Sequence, residues 1–123
     1  MLELLDVIVI IVVHFFSDWY MQDRNTAKKK STDTEALFKH GVIIFVFTCG
    51  LFWYLGVDVY CGIAASLVYT VCHLIQDRYI YRNLEPLHFV ELIDYKKLWD
   101  RIALDQTLHL SQLMLLAIVV PKG

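Results

Sequence analysis

Three pairs of histidine and aspartate, each with its two residues four positions apart, stand out in a largely apolar sequence. The pairs are His14 with Asp18, His73 with Asp77, and Asp105 with His109. Residues four apart share one face of a helix, so each pair presents an imidazole and a carboxylate in the same direction. Divalent metal ions in proteins are commonly bound by these two groups. The spacing therefore predicts a metal site assembled from several helices.

The residue order of the third pair is reversed, and the reversal fits the direction of the chain. If the first and third helices run toward one membrane surface and the fourth runs away from it, each aspartate lies nearer that surface. Each histidine then lies one turn deeper, by roughly 6 Å. His40 lies near the start of the second apolar stretch, at the same level, and the sequence leaves open whether it is a ligand or only a neighbour. The predicted metal ligands are His14, Asp18, His40, His73, Asp77, Asp105 and His109.

This ligand set restricts the metal. Imidazole with carboxylate suits Zn, Mn, Fe or Ni, and a set dominated by carboxylates would admit Mg. The predicted ligands exceed what one tetrahedral ion needs, so they leave room for two ions, or for one ion with outer-sphere partners and an open water position. An aspartate left off the metal, with Asp18 as the candidate, would act as a general base. A purely structural polar network and a proton or ion pathway remain open as alternatives.

The elements that must position these side chains are apolar. With 58% hydrophobic residues and a mean hydropathy of +0.52, the 123-residue chain is too apolar for an ordinary soluble domain. Four stretches have about the length of a membrane span: Leu4–Met21, Leu37–Val57, Val59–Ile75 and Ile102–Val120. The sequence therefore predicts an all-α protein, a single domain over residues 1–123 that forms a bundle of four transmembrane helices.

The segments that flank the spans carry their own signals. Thr32, followed three residues later by Glu35, has the form of a capping box and predicts that the second helix begins before its apolar stretch. Asp100 is the predicted cap of the fourth helix. The stretch Pro86–Trp99 mixes apolar, aromatic and charged residues, and we expect it to lie along the membrane interface because it is too polar to span.

Basic residues predict the orientation. They lie between the first and second spans (Arg24, Lys28, Lys29, Lys30, Lys39) and between the third and fourth spans (Arg78, Arg82, Lys96, Lys97, Arg101). The positive-inside rule places these two links in the cytoplasm and both termini on the other side.

The same residues bear on partners. The expected partner is the lipid bilayer, with Lys28–Lys30 and Arg78 attracting anionic headgroups. A net charge of -2 gives no reason to expect nucleic acid as a partner. Association into a homo-oligomer stays open.

The segments HFFSDWYMQ, KHGVII, HLIQD and DQTLHL resemble a family of small bacterial and phage integral-membrane proteins of unknown function, which is marked by repeated His-x3-Asp motifs. The resemblance covers most of the chain from His14 to His109. The matching positions are His14, Asp18, Gln22, His40, His73, Asp77, Asp105, Gln106 and His109. The sequence departs from the pattern in HLIQDRYIYR, where a simpler apolar residue is more usual before Asp77. The resemblance implies a multipass protein of the bacterial inner membrane and carries no activity.

Three functions are compatible with these features. The first is a metal-dependent hydrolase of a lipid or phosphoester at the cytoplasmic leaflet, and a looser, fold-level similarity to membrane-bound metal-dependent hydrolases points the same way. The second is a non-catalytic bacterial or phage accessory protein, whose His/Asp network holds the helices together and whose basic links bind a partner. The third is an ion or proton carrier. The far halves of the first two spans lack matching polar residues, which argues against a path through the membrane.

Overall fold

The computed structural model describes residues 2–20, 33–81 and 95–122, with side chains described for residues 2–18, 33–78 and 103–122. These residues form four helices and no strand. Helix α1 spans Leu4–Phe15 and continues as a π-helical turn over Phe16–Tyr20. Helix α2 spans Thr34–Tyr54, α3 spans Val59–Tyr81 and α4 spans Tyr95–Val119. The prediction of an all-α protein with four helices is confirmed for this part of the chain.

Several predictions concern positions outside the described residues. These positions are Met21, Gln22, Arg24, Lys28, Lys29, Lys30, Thr32, Arg82 and residues 86–94 of the predicted interfacial stretch. The side chains of Lys96, Lys97, Asp100 and Arg101 also lie outside the described set. The remainder of the interfacial stretch, residues 95–99, forms the first turns of α4.

Both predicted helix caps are corrected by the structure. The N-cap of α2 is Asp33, whose Oδ1 accepts hydrogen bonds from the backbone N–H groups of Glu35 at 2.9 Å and Ala36 at 3.5 Å. A carboxylate suits this position because it also interacts favourably with the positive end of the helix dipole. The prediction of Asp100 as a cap is wrong, because α4 begins at Tyr95 and Asp100 lies inside it.

A tight connection joins α2 to α3 at one end of the bundle. Gly56 has a φ of 76°, a conformation that glycine adopts without steric cost and that commonly ends a helix. Asp58 Oδ2 then accepts hydrogen bonds, each of 3.2 Å, from two backbone amides in the first turn of α3. The C-terminal residues return to this connection, where Lys122 Nζ donates to the carbonyl of Leu55 at 2.7 Å. These contacts hold α2, α3 and the end of α4 together.

The interior of the bundle divides into an apolar part and a polar part. The apolar core, which lies largely toward the α2–α3 connection, consists of Ile10, Ile44, Leu51, Phe52, Leu55, Val57, Ala65, Tyr69, Leu113 and Ala117. The buried polar side chains are His14, Ser17, Asp18, His40, Thr48, Ser66, Thr70, His73, Asp77, Asp105 and His109. The polar side chains of α3 follow one face of that helix, so the ionisable groups meet inside the bundle.

The outside of the bundle carries large apolar side chains on every helix. Val12 and Val46 are each 59% exposed, and Leu67 and Leu115 are 55% and 59% exposed. A bundle with polar groups inside and apolar groups outside inverts the usual pattern of soluble domains. Two helices, α2 and α3 as far as Arg78, are long and apolar enough to cross a membrane, and the apolar part of α4, Ala103–Val119, is shorter.

Candidate metal centre

All the predicted ligand residues lie in the polar part of the interior, and none is more than 1% exposed. The structure brings their ligand atoms together in two groups that have metal-site spacing. The groups are Asp18, His40, His73 and Asp77, which we call the quartet, and Asp18, Asp105 and His109, which we call the second group. Asp18 belongs to both groups, and His14 belongs to neither.

The quartet is compact. His40 Nε2 lies 3.0 Å from His73 Nε2 and 3.1 Å from both Asp18 Oδ1 and Asp77 Oδ2. His73 Nε2 lies 3.3 Å from the same two oxygens. Four ligand atoms placed tetrahedrally at about 2.0 Å from one ion are about 3.3 Å from each other. The quartet therefore has the spacing of a tetrahedral metal site.

Hydrogen bonding alone does not account for the quartet. An imidazole nitrogen carries at most one proton, yet His40 Nε2 has three polar atoms within 3.1 Å. Asp18 Oδ1 accepts no hydrogen bond from the described residues, although both imidazole nitrogens lie within 3.3 Å of it. Buried polar atoms usually have a partner. A cation at the centre of the quartet would be a common partner for all four atoms.

The second group adjoins the quartet through Asp18 and a ring contact. Asp105 Oδ1 lies 3.2 Å from His109 Nδ1, and Asp18 Oδ2 lies 3.9 Å from the same nitrogen. The rings of His109 and His73 stack, with centroids 3.6 Å apart and planes inclined by 25°. One oxygen of Asp18 thus faces the quartet and the other faces the second group.

The π-helical turn gives Asp18 a different direction from His14. Asp18 lies inside the turn Phe16–Tyr20, whereas His14 lies in the regular helix before it. A π-helical turn holds more residues than an α-helical turn, so the angle between residues four apart changes, and such turns are frequent at functional sites. His14 and Asp18 consequently have different partners, which the four-residue spacing did not predict.

Gln106 connects His14 to two of the carboxylates. Gln106 Nε2 donates to Asp18 Oδ2 and Asp105 Oδ2, both at 3.0 Å. In the tautomer protonated at Nε2, His14 donates to Gln106 Oε1 at 2.8 Å and accepts a bond of 3.3 Å from the Tyr69 hydroxyl at Nδ1. Outer-sphere hydrogen bonds of this kind orient metal ligands. From sequence, Gln106 was identified only through the family resemblance, because it directly follows Asp105 and does not share the face of that His/Asp pair.

A donor set of two imidazoles and two carboxylates suits Zn, Mn, Fe or Ni better than Mg, which prefers oxygen. The buried His/Asp cluster could therefore hold the divalent ion that the sequence predicted. His40, whose role the sequence left open, contributes the shortest contacts of the quartet.

Comparison with known proteins places the chain in a family without assigning an activity. No curated protein and no solved structure matches it. One family model matches residues 7–122, a range that contains both groups of candidate ligands. The match is consistent with the expectation of a family of unknown function. The chain belongs to the family described as "Protein of unknown function (DUF3307)".

Proposed function

We propose that the chain is a membrane-embedded metalloprotein whose His/Asp centre hydrolyses an ester or phosphoester bond of a lipid or another amphiphile. The observation that carries the proposal is the quartet, with contacts of 3.0–3.3 Å between buried imidazole nitrogens and carboxylate oxygens. Burying these carboxylates without a cation would be costly.

In this proposal all four helices cross the membrane. The apolar exterior supports it, because Val12 on α1 and Leu115 on α4 are as exposed as Val46 on α2, each at 59%. A soluble monomer rarely exposes apolar side chains over its whole surface. Ionisable residues within membrane spans almost always face the bundle interior, as the candidate ligands do here.

We place the metal centre near the cytoplasmic leaflet, with both termini on the far side. The quartet lies toward the end of α3 that carries Arg78, whose Nη2 contacts Thr34 Oγ1 at 3.5 Å near the start of α2. The basic residues of the sequence cluster in the two links at this end, and the positive-inside rule assigns such links to the cytoplasm. Arg78 is also placed to attract an anionic headgroup.

A divalent ion in this centre would act as a Lewis acid on an ester or phosphoryl oxygen and would acidify a bound water. In hydrolysis, the water oxygen bonds to the carbonyl carbon or phosphorus and the bond to the leaving oxygen breaks. A base takes a proton from the water, and the leaving oxygen receives one. Asp18 was the base predicted from sequence, but its two oxygens face the two ligand groups. Asp105 lies outside the quartet and beside His109, so with a single ion, in the quartet, we assign it the role of base.

The test is the metal content of the detergent-purified protein, measured by mass spectrometry after expression with the divalent metals supplied. We expect bound metal in the wild type, and its loss in His73→Ala and Asp77→Asn, because each change removes a quartet ligand. Asp58→Asn is the matched control, because it changes a carboxylate in the α2–α3 connection and leaves the quartet intact, and it should retain the metal. Wild-type protein that is folded and free of metal would overturn the proposal.

A second candidate function, that of a non-catalytic accessory protein, is favoured by the burial of the ligands. The quartet takes Asp18 from the end of the first helix, His40 from α2, and His73 and Asp77 from α3, all at most 1% exposed. An ion there would hold the helices together in lipid, where little hydrophobic force acts between them. A substrate would reach the centre only after the helices move apart. The variant Asp105→Asn separates the two functions.

A further inference from the structure

We propose that the centre holds two metal ions bridged by the carboxylate of Asp18, the second ion being bound by Asp105 and His109. This inference rests on the proposed metal site in the quartet and adds a second, chemically different position to it. Four observations support it: the two directions of Asp18, the unused nitrogens of His109, the charge of the cluster, and the hydrogen bonds of Gln106.

Asp18 has the geometry of a bridging ligand. Its Oδ1 lies 3.1 Å from His40 Nε2 and 3.3 Å from His73 Nε2, within the quartet. Its Oδ2 lies 3.9 Å from His109 Nδ1, within the second group. Two-metal sites hold their ions about 3.5–4 Å apart. A carboxylate that offers one oxygen to each of two adjoining ligand groups suits that arrangement.

Within the described part of the chain, no hydrogen bond explains the burial of His109. Its side chain is fully buried, and neither ring nitrogen forms a hydrogen bond with the described residues. Yet Nδ1 lies 3.2 Å from Asp105 Oδ1, so a nitrogen and an oxygen point at the same small space. Buried unsatisfied nitrogens are rare in native proteins and call for a partner. A cation between Asp105, His109 and Asp18 Oδ2 supplies it.

The charge of the cluster also favours a second ion. Asp18, Asp77 and Asp105 carry three formal negative charges when ionised, and all are buried. One divalent ion in the quartet carries two positive charges and leaves the Asp105 side of the cluster negative. Uncompensated buried charge is strongly unfavourable. A second divalent ion beside Asp105, together with one bound hydroxide, would balance the remaining charge.

The two positions differ in how many protein ligands they have. The quartet already supplies four ligand atoms, which is the closed arrangement of structural zinc sites. The second group supplies three, and three protein ligands with an open position for water are typical of catalytic sites. The structure thus assigns the quartet to holding the helices and the second position to binding water and substrate oxygen. With the second ion bound, Asp105 acts as its ligand rather than as a free base.

Gln106 keeps Asp18 and Asp105 in the bridging arrangement. Its Nε2 donates to the Oδ2 atoms of both aspartates at 3.0 Å, so the two carboxylates keep a fixed orientation to each other. Each carboxylate oxygen has a second lone pair for an ion. Gln106 is therefore a positioning residue for the bridge and touches neither ion.

The experiment counts ions in the purified full-length protein loaded with Mn²⁺, with protein quantified by amino-acid analysis. We expect two ions per wild-type chain and a fall to one in Asp105→Asn and in His109→Ala, since both changes leave the quartet complete. Asp58→Asn, which makes the same change at a carboxylate in the α2–α3 connection, should keep both ions.

Electron paramagnetic resonance of the Mn²⁺-loaded wild type is a second readout that needs no variant. A carboxylate bridge couples the spins of the two ions, so we expect a coupled spectrum in the wild type and an isolated-ion spectrum in Asp105→Asn. One ion per wild-type chain with an isolated-ion spectrum would overturn the second position and leave the proposed quartet site intact. Absence of any bound ion would overturn both.

Discussion

Asp18 is the residue on which both ligand groups depend. Its Oδ1 lies beside His40 and His73, whereas its Oδ2 faces His109. His40 and His14 show how far residue roles follow from sequence. The sequence predicted both histidines at the same level of the bundle, and both are buried in the structure. Only His40 joins the quartet, and His14 bonds to Gln106 instead. Helical spacing predicts how far along the bundle a side chain lies and which face of its helix it occupies. It does not predict which side chains of different helices come into contact.

At the residue scale, Asp105→Asn separates catalysis from scaffolding. Asn has nearly the same shape but can neither act as a base nor serve as an anionic ligand of the second ion, so we expect the quartet metal and the fold to remain while hydrolysis falls by about 10²–10⁴-fold. Hydrolysis is measured with para-nitrophenyl phosphate, bis(para-nitrophenyl) phosphate, para-nitrophenyl acyl esters and phosphatidylglycerol vesicles.

Asp58→Asn, which changes a carboxylate in the α2–α3 connection, is the control for Asp105→Asn and should keep wild-type activity. If wild-type protein with its metal in place hydrolyses none of these substrates, and Asp105→Asn alters neither stability nor any cellular effect of the protein, the non-catalytic function is the better account.

At the scale of elements, hydropathy predicted where the helices lie, on the expectation that each apolar stretch spans a membrane and is therefore helical. The sequence did not predict the π-helical turn Phe16–Tyr20, since a single wider turn leaves no distinct pattern of residues. The sequence also predicted too late a start for α4. Residues 95–99 are polar and were therefore predicted to be interfacial, but they form the first turns of the helix.

The close packing of α2 on α3 beside the quartet leads to a prediction for Gly41. A Cβ at Gly41 would lie 2.6 Å from Cδ1 of Leu74, and these residues adjoin His40 and His73. We expect Gly41→Val to separate the helices, to cost about 1–3 kcal/mol of stability and to lower metal occupancy. Leu74→Ala in the same chain should restore much of both, because it removes the obstructing side chain.

Gly50→Val is the matched control on α2, since nothing lies within 4 Å of a Cβ at Gly50. Thermal unfolding in detergent and metal content are the measurements. If Gly41→Val behaves like Gly50→Val in both, the close approach of α2 and α3 does not position His40 against His73.

At the scale of the whole molecule, the bundle buries its ionisable groups together and exposes apolar side chains on every helix. The sequence predicted that the ionisable groups meet, from the three His/Asp pairs and the reversed order of Asp105 and His109. It did not predict the division into a quartet and a second group, which depends on the rotation of each helix about its axis. That rotation is set by packing contacts such as Gly41 against Leu74, which no single-helix pattern contains.

The central claim is that imidazole and carboxylate groups inside this bundle bind a metal ion, and X-ray absorption at the metal edge of the purified protein tests it most directly. We predict nitrogen and oxygen ligands at about 2.0–2.1 Å, with outer-shell scattering from the imidazole rings of His40 and His73 that weakens in His73→Ala. A spectrum with oxygen ligands only and no imidazole scattering, unchanged in His73→Ala, would mean that the metal binds outside the cluster and would contradict the claim.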